Sequence, residues 1–130
     1  MKTPKKPYKP EGYASVSVYL MVEGAQAVID FLREALDAEP LRRFDDPDGR
    51  VMHAEVKLDD TVVMLADVET PVPSHVHVYV GDVDAAYARA LRAGGVAVQE
   101  PVQKDDPDRR AGVRDPAGNT WWLATQVGEA

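Results

Sequence analysis

Two histidines, His75 and His77, stand at alternate positions of the stretch "SHVHVYV" (74–80), and the third, His53, stands two residues before Glu55 in "VMHAEVKL" (51–58). Alternate residues of a strand project to one face, so each pair can aim at a common target. Three chemistries are open to them. Two imidazoles about 6.5 to 7 Å apart along a strand can converge on one divalent ion at about 2.0 to 2.1 Å, with His53 or Glu55 completing the set. Alternatively, His75 or His77 can act as a general base, with Glu55, Tyr19 or Ser17 orienting it or relaying its proton. The third option is ligand binding. Here the imidazoles give directional hydrogen bonds, while Trp122, Tyr19 and Met64 give flat or adaptable apolar surface. Ser17 lies in no nucleophile elbow, which argues against a Ser-His hydrolase.

Composition narrows the field. The chain has 130 residues, no cysteine and a net charge of −7. Thiolate nucleophiles, thiolate metal sites and disulfides are excluded, and a reducing, cytoplasmic setting is compatible with that. An acidic balance argues against a nucleic-acid surface, which needs a basic face. No apolar run approaches the roughly 18 residues of a membrane span, and no apolar segment follows Lys2, Lys5 and Lys6 as a signal peptide requires. The runs "RRFDDPDGR" (42–50) and "KDDPDRR" (104–110) have the composition of turns and lack EF-hand spacing.

The elements that must position these residues come in two copies. The chain matches itself at an offset of about 58 residues: "SVSVYLMV" (15–22) with "PSHVHVYV" (73–80), and "DDTVVMLA" (59–66) with "AGNTWWLA" (117–124). Apolar spacing predicts helices over 25–38 and 83–93, the second opened by Asp82 and closed by Gly94-Gly95. Strands are predicted at 40–45, 51–58 and 61–67, then at 96–102, 110–114 and 119–125. The reading is an α+β fold of two tandem βαβββ repeats forming a cup-shaped mixed sheet with helices on its outer face. Its boundaries are an extended arm over 1–11, repeats over 12–67 and 74–127, a linker over 68–73 and a tail over 128–130.

Strand parity then sorts the faces. Val16, Val18, Leu20 and Val22, with Met52, Ala54, Val56 and Leu58, and Val76, Val78 and Val80, suit burial beneath a helix. Val83, Tyr87, Ala90 and Leu91 are the expected buried face of the second helix, and Trp121 is expected in the core. The opposite face collects the candidate ligand-binding set: Ser17, Tyr19, His53, Glu55, Met64, His75, His77 and Trp122. Arg114 is expected to pair with Glu55 or Asp115, or to meet an anionic ligand.

The segments "PEGYASVSVYLMV", "GRVMHAEVKLDDTVVMLAD" and "GVRDPAGNTWWLAT" resemble the vicinal oxygen chelate superfamily of glyoxalases, bleomycin-resistance proteins and extradiol dioxygenases, in its PhnB-like branch. The turn and final strand "DPAGNTWWLAT" (115–125) carry most of that resemblance, which spans about residues 10–127. It implies a paired βαβββ cup, often completed by pairing or swapping repeats between chains, hence a homodimer. It also places the metal ligands of metal-dependent members at Ser17, Met64, His75 and Trp122, where only His75 is a usual ligand. The expectation is therefore binding of a small organic molecule without the superfamily metal. The alternatives are a lyase, isomerase or dioxygenase with a relocated divalent metal or a histidine base, and a dimeric scaffold with a filled cup. No nucleic-acid or membrane partner is expected.

Overall fold

The computed structural model describes residues 7–128. Residues 1–6 of the expected arm and 129–130 of the expected tail lie outside the described residues. The first half runs β1 (Val18–Val22), α1 (Ala25–Leu36), β2 (Glu39–Asp45), β3 (Val51–Leu58) and β4 (Thr61–Asp67). The second repeats it as β5 (His75–Tyr79), α2 (Val83–Arg92), β6 (Val96–Gln103), β7 (Asp108–Arg114) and β8 (Thr120–Gln126). These build two four-stranded mixed sheets, ordered β1-β4-β3-β2 and β5-β8-β7-β6. In each, the first strand pairs in parallel with the last, as a helical crossover permits, and the remaining pairs are antiparallel. The expected α+β fold of two tandem βαβββ repeats is what the chain adopts.

Register carries the repeat down to single residues. Tyr19 stands beside Met64 as His77 stands beside Trp122, and Glu55 faces Met64 as Gly112 faces Trp122.

Both repeats share one apolar core. From α1 it takes Val28, Ile29, Phe31, Leu32 and Ala35 at helical spacing, and from α2 it takes Val83, Ala86 and Ala90. The helices pack on each other, and Arg89 Nε donates to the carbonyl of Ala35 at 3.2 Å. Gly95 makes this approach possible. A Cβ there would lie 2.4 Å from Val113 Cγ1, 2.8 Å from the Ala90 carbonyl and 3.0 Å from the Phe31 ring. Between the sheets runs a cleft lined by Val18, Val63, Val76, Val78 and Trp121 of the aliphatic parity, and also by His77 and Tyr79 of the opposite parity on β5. Their aliphatic faces therefore meet inside the chain.

The two helices are opened by different carboxylates. Asp82 caps α2 locally, accepting from the Ala85 N–H at 3.1 Å as its sequence position predicts. The N-terminus of α1 has Gly24 at its cap and is satisfied instead by Asp67, whose Oδ1 accepts from Gly24 and Ala25 and whose Oδ2 accepts from Val51. Burial pushes this carboxyl up, yet the Ala25, Val51 and Gly24 N–H groups outweigh it and hold Asp67 below the usual carboxylate range.

Several expectations need correction. The helix expected to run to 38 stops at Leu36, because Asp37 turns into the left-handed region (φ 55°). Val16 lies outside β1 and is exposed rather than buried. Met52 is exposed and Val51 is buried, the reverse of simple alternation. The β2–β3 register jumps from Phe44–His53 to Asp45–Val51, so Met52 bulges out and Val51 takes the core side. On α2, Ala86 is buried and Leu91 is partly exposed. No helix among the described residues is long and apolar enough to cross a membrane.

Candidate functional site

The polar face of the first sheet is a connected unit. Glu55 on β3 is only 3% exposed although it lies on this face. It is covered by three donors. His53 Nε2 meets Oε2 at 2.7 Å, Arg42 Nε meets Oε1 at 3.3 Å, and the Tyr13 hydroxyl donates to Oε1. Burial pushes Glu55 up, but hydrogen bonds from His53, Tyr13 and Arg42 prevail and hold it below the usual carboxylate range, so it is ionised at neutral pH. The same bond raises the Tyr13 phenol. An ionised carboxylate only accepts, so His53 Nε2 must carry a hydrogen. In neutral His53, Nδ1 is then an acceptor. The Tyr19 hydroxyl lies 3.1 Å from it. The result is a file, Tyr19–His53–Glu55, that runs from half-exposed phenol to buried carboxylate. Beside it a cleft of 390 Å³ is lined by Lys9, Tyr13, Ser17, Arg42 and Met64.

The second sheet meets its imidazoles with different partners. Trp122 Nε1 donates to His75 Nδ1 at 3.1 Å, and the two rings lie nearly parallel, 10° apart with centroids at 6.2 Å. Arg110 Nε donates to His77 Nε2 at 3.2 Å, while its Nη atoms pair with Asp106 and Asp108, each at 3.0 Å. Tyr79 meets His77 edge-on and donates to Asp108 at 2.8 Å, a bond that raises its phenol. Indole and guanidinium N–H groups only donate. The lone pair of each neutral histidine is thus used within the protein, and each offers an N–H outward. Trp122 lies flat against β7 because its neighbour there is Gly112, where a Cβ would sit 2.7 Å from Cζ3.

The turn "DPAGN" works as a clasp for this wall. Asp115, 4% exposed, accepts from Ala117 and Asn119 backbone, from Asn119 Nδ2 and from Trp121 Nε1, the last at 2.8 Å. Asn119 Oδ1 in turn accepts from the Ser74 N–H and anchors the start of β5. Trp121 is fully buried, as parity predicted.

The eight expected residues therefore fall into two groups. Ser17, Tyr19, His53, Glu55 and Met64 lie on the first sheet; His75, His77 and Trp122 lie on the second. No hydrogen bond or ring contact among the described residues joins the groups. Tyr13, Arg42, Arg110, Asp108 and Tyr79 belong to these walls and were missed. Arg110 and Asp108 could have been found by parity, being alternate with Gly112. Arg42 could not, because a register shift between Pro40 and Arg43 breaks the alternation of β2. Arg42 takes the place beside Glu55 expected for Arg114, which stands exposed on β7.

Paired βαβββ units, each a four-stranded mixed sheet with one helix, are the fold of the vicinal oxygen chelate class. Residues 14–123 match the family model of the Glyoxalase/Bleomycin resistance protein/Dioxygenase superfamily, and the chain belongs to that superfamily. Uncharacterised proteins of Mycobacterium bovis and Mycobacterium tuberculosis are each 36% identical to it over 129 residues, covering 88% of this chain and 85% and 76% of theirs. Among solved structures, TioX from Micromonospora sp. ML1 is 26% identical with a TM-score of 0.69, covering 85% of this chain and 95% of that one. A PhnB protein from Bacillus cereus and the fosfomycin resistance protein FosX from Listeria monocytogenes share the fold, at TM-scores of 0.71 and 0.73. Their identities are 17% and 14%, with 86% and 89% of this chain and 99% and 94% of theirs covered.

The superfamily often uses a divalent metal, and the residues at the corresponding positions do not fit one. Trp122 has no lone pair to give and spends its N–H on His75 Nδ1; Met64 is a soft thioether; Ser17 is a neutral hydroxyl. No three His, Asp or Glu side chains among the described residues are grouped to hold an ion.

Proposed function

We propose that this protein binds a small organic acid in a cup completed by a second copy of the chain, with the superfamily metal positions given over to hydrogen bonding and stacking. The observation that carries this reading is the direction of the walls. The cleft inside the chain takes Val18, Val63, Val76, Val78 and Trp121 from the aliphatic faces and His77 and Tyr79 from β5, whereas Tyr19, His53, Glu55, His75 and Trp122 do not line it and lie outside that cleft. Each wall is half of a cavity. Along the edge strands β1 and β5, Tyr19, Met21 and Tyr79 are 46%, 43% and 62% exposed, apolar surface suited to a partner's edge. Arg42 and Lys9 at the cleft of the first wall favour an anion, and Trp122 offers a flat face for an organic body.

Light scattering on the eluting protein should give a dimer at micromolar concentration. A monomer at every concentration sinks the shared cup. A screen of oxo and aromatic carboxylic acids by tryptophan fluorescence should find compounds that shift emission in the intact protein and not in Trp122→Phe. Shifts that persist in Trp122→Phe would place binding elsewhere.

A further inference from the structure

Three histidines line the walls, and only one has its lone pair filled by a proton that can move. His75 and His77 accept from the N–H groups of Trp122 and Arg110, an indole and a guanidinium, both weaker acids than a phenol. His53 Nδ1 lies 3.1 Å from the hydroxyl of Tyr19, a half-exposed phenol, while His53 Nε2 is fixed on the buried carboxylate of Glu55 at 2.7 Å. A nucleophile or phenol, an imidazole and a buried carboxylate in file are the parts of a general base with its orienting group. Arg42 holds the far oxygen of Glu55 and, with Lys9, lines the adjoining cleft, so two cations can receive a carboxylate there.

We infer that Tyr19, His53 and Glu55 form an acid–base relay that enolises a small oxo acid held in the cup, an activity that rests on the ligand-binding reading above. Tyr19 meets the substrate. As its phenol proton passes to His53 Nδ1, its oxygen takes a proton from the carbon beside the substrate carbonyl. The C–H electron pair moves into the carbonyl to give an enolate, and the imidazolium formed is balanced by Glu55. Return of the proton to the same carbon, or to another position of the enolate, regenerates all three groups. The net reaction is proton exchange, epimerisation or isomerisation, with no oxidant or co-reactant consumed. Glu55 is the positioning residue: it fixes the tautomer that leaves Nδ1 open to the phenol.

The test is exchange of the α-hydrogens of pyruvate, 2-oxobutyrate and acetoacetate in D₂O, followed by ¹H NMR, beside tryptophan-fluorescence titration of the same compounds. The protein should accelerate exchange in at least one of them. Tyr19→Phe, a change at a half-exposed position, and His53→Gln should each lower that rate on the order of 100-fold or more, with the emission titration moved less than about twofold. ¹⁵N spectra should show His53 as the Nε2–H tautomer in the native protein and as a mixture in Glu55→Gln. Absence of exchange with all three acids, or an unchanged rate in Tyr19→Phe, overturns the relay while leaving binding to stand on its own titration. Absence of any emission shift tells against the pocket itself.

Discussion

The two repeats hold the same backbone to opposite purposes. Opposite the residue that ends the metal-ligand series, the first repeat places Glu55 beside Met64 and the second places Gly112 beside Trp122. One wall buries a charge and surrounds it with donors. The other removes a side chain so that an indole can lie flat. A duplicated unit can thus diverge at its polar face without disturbing the aliphatic face, because strand alternation keeps the two sets of constraints apart. The hairpins that close the sheets diverge as well. Between β7 and β8, the buried Asp115 gathers four N–H donors; between β3 and β4, a tight turn is made by Asp59 in the left-handed region (φ 55°) with no such clasp.

That contrast can be broken most severely at the clasp. Asp115→Ala strands the N–H groups of Asn119 and Trp121 in the interior and should cost on the order of 4 kcal/mol in denaturant unfolding, whereas Asp59→Gly in the sister turn should move stability by less than about 1 kcal/mol. Equal effects would mean that the two turns are closer in role than their hydrogen bonds indicate.

A middle-sized effect is expected at the buried charge. Glu55→Gln should cost about 2 kcal/mol at pH 7, since Arg42 and His53 lose an ionised acceptor. The folded-state pKa of Glu55 is depressed, so its contribution is complete above the ordinary carboxyl value of about 4.3 and is lost as pH falls through the lower folded value. Thermal melts from pH 7 to pH 3 should therefore narrow the gap between the native protein and Glu55→Gln toward the acid end. A constant gap would place the effect in packing instead.

The smallest change sharpens the second wall. Gly112→Ala puts a methyl 2.7 Å from Cζ3 of Trp122, and the half-buried indole can swing outward at a cost of about 1 kcal/mol. It should lose its bond to His75 and emit at longer wavelength. Unaltered emission would show that the backbone yields rather than the ring.

Much of this is legible in the amino-acid sequence alone. The offset between "SVSVYLMV" and "PSHVHVYV" gives the repeat, Asp82 gives the start of α2, and alternation puts Trp121 in the core and Trp122 on the wall. All of these depend on patterns written along the chain itself, within an element or between its two copies. What alternation could not reach depends on register: the bulge at Met52, the arrival of Arg42 rather than Arg114 at Glu55, and the division of the histidines among a carboxylate, an indole and a guanidinium. The sequence places His53 and Glu55 on one face of one strand, but the partners that fix the tautomers of His75 and His77 come from other strands. The direction of the two walls was beyond it altogether, since parity sets one face against the other within a sheet and leaves open how the sheets meet.

The capping of α1 by Asp67 bears on the order of events during folding. A helix normally finds its first hydrogen-bond acceptors within a residue or two, but here they arrive with the end of β4, 42 and 43 positions later in the chain. Until that strand docks beside β1, α1 has open amides at its start and is a poor nucleus. The start of α1 is thus tied to closure of a long loop, while α2 carries its own cap and depends on no such closure.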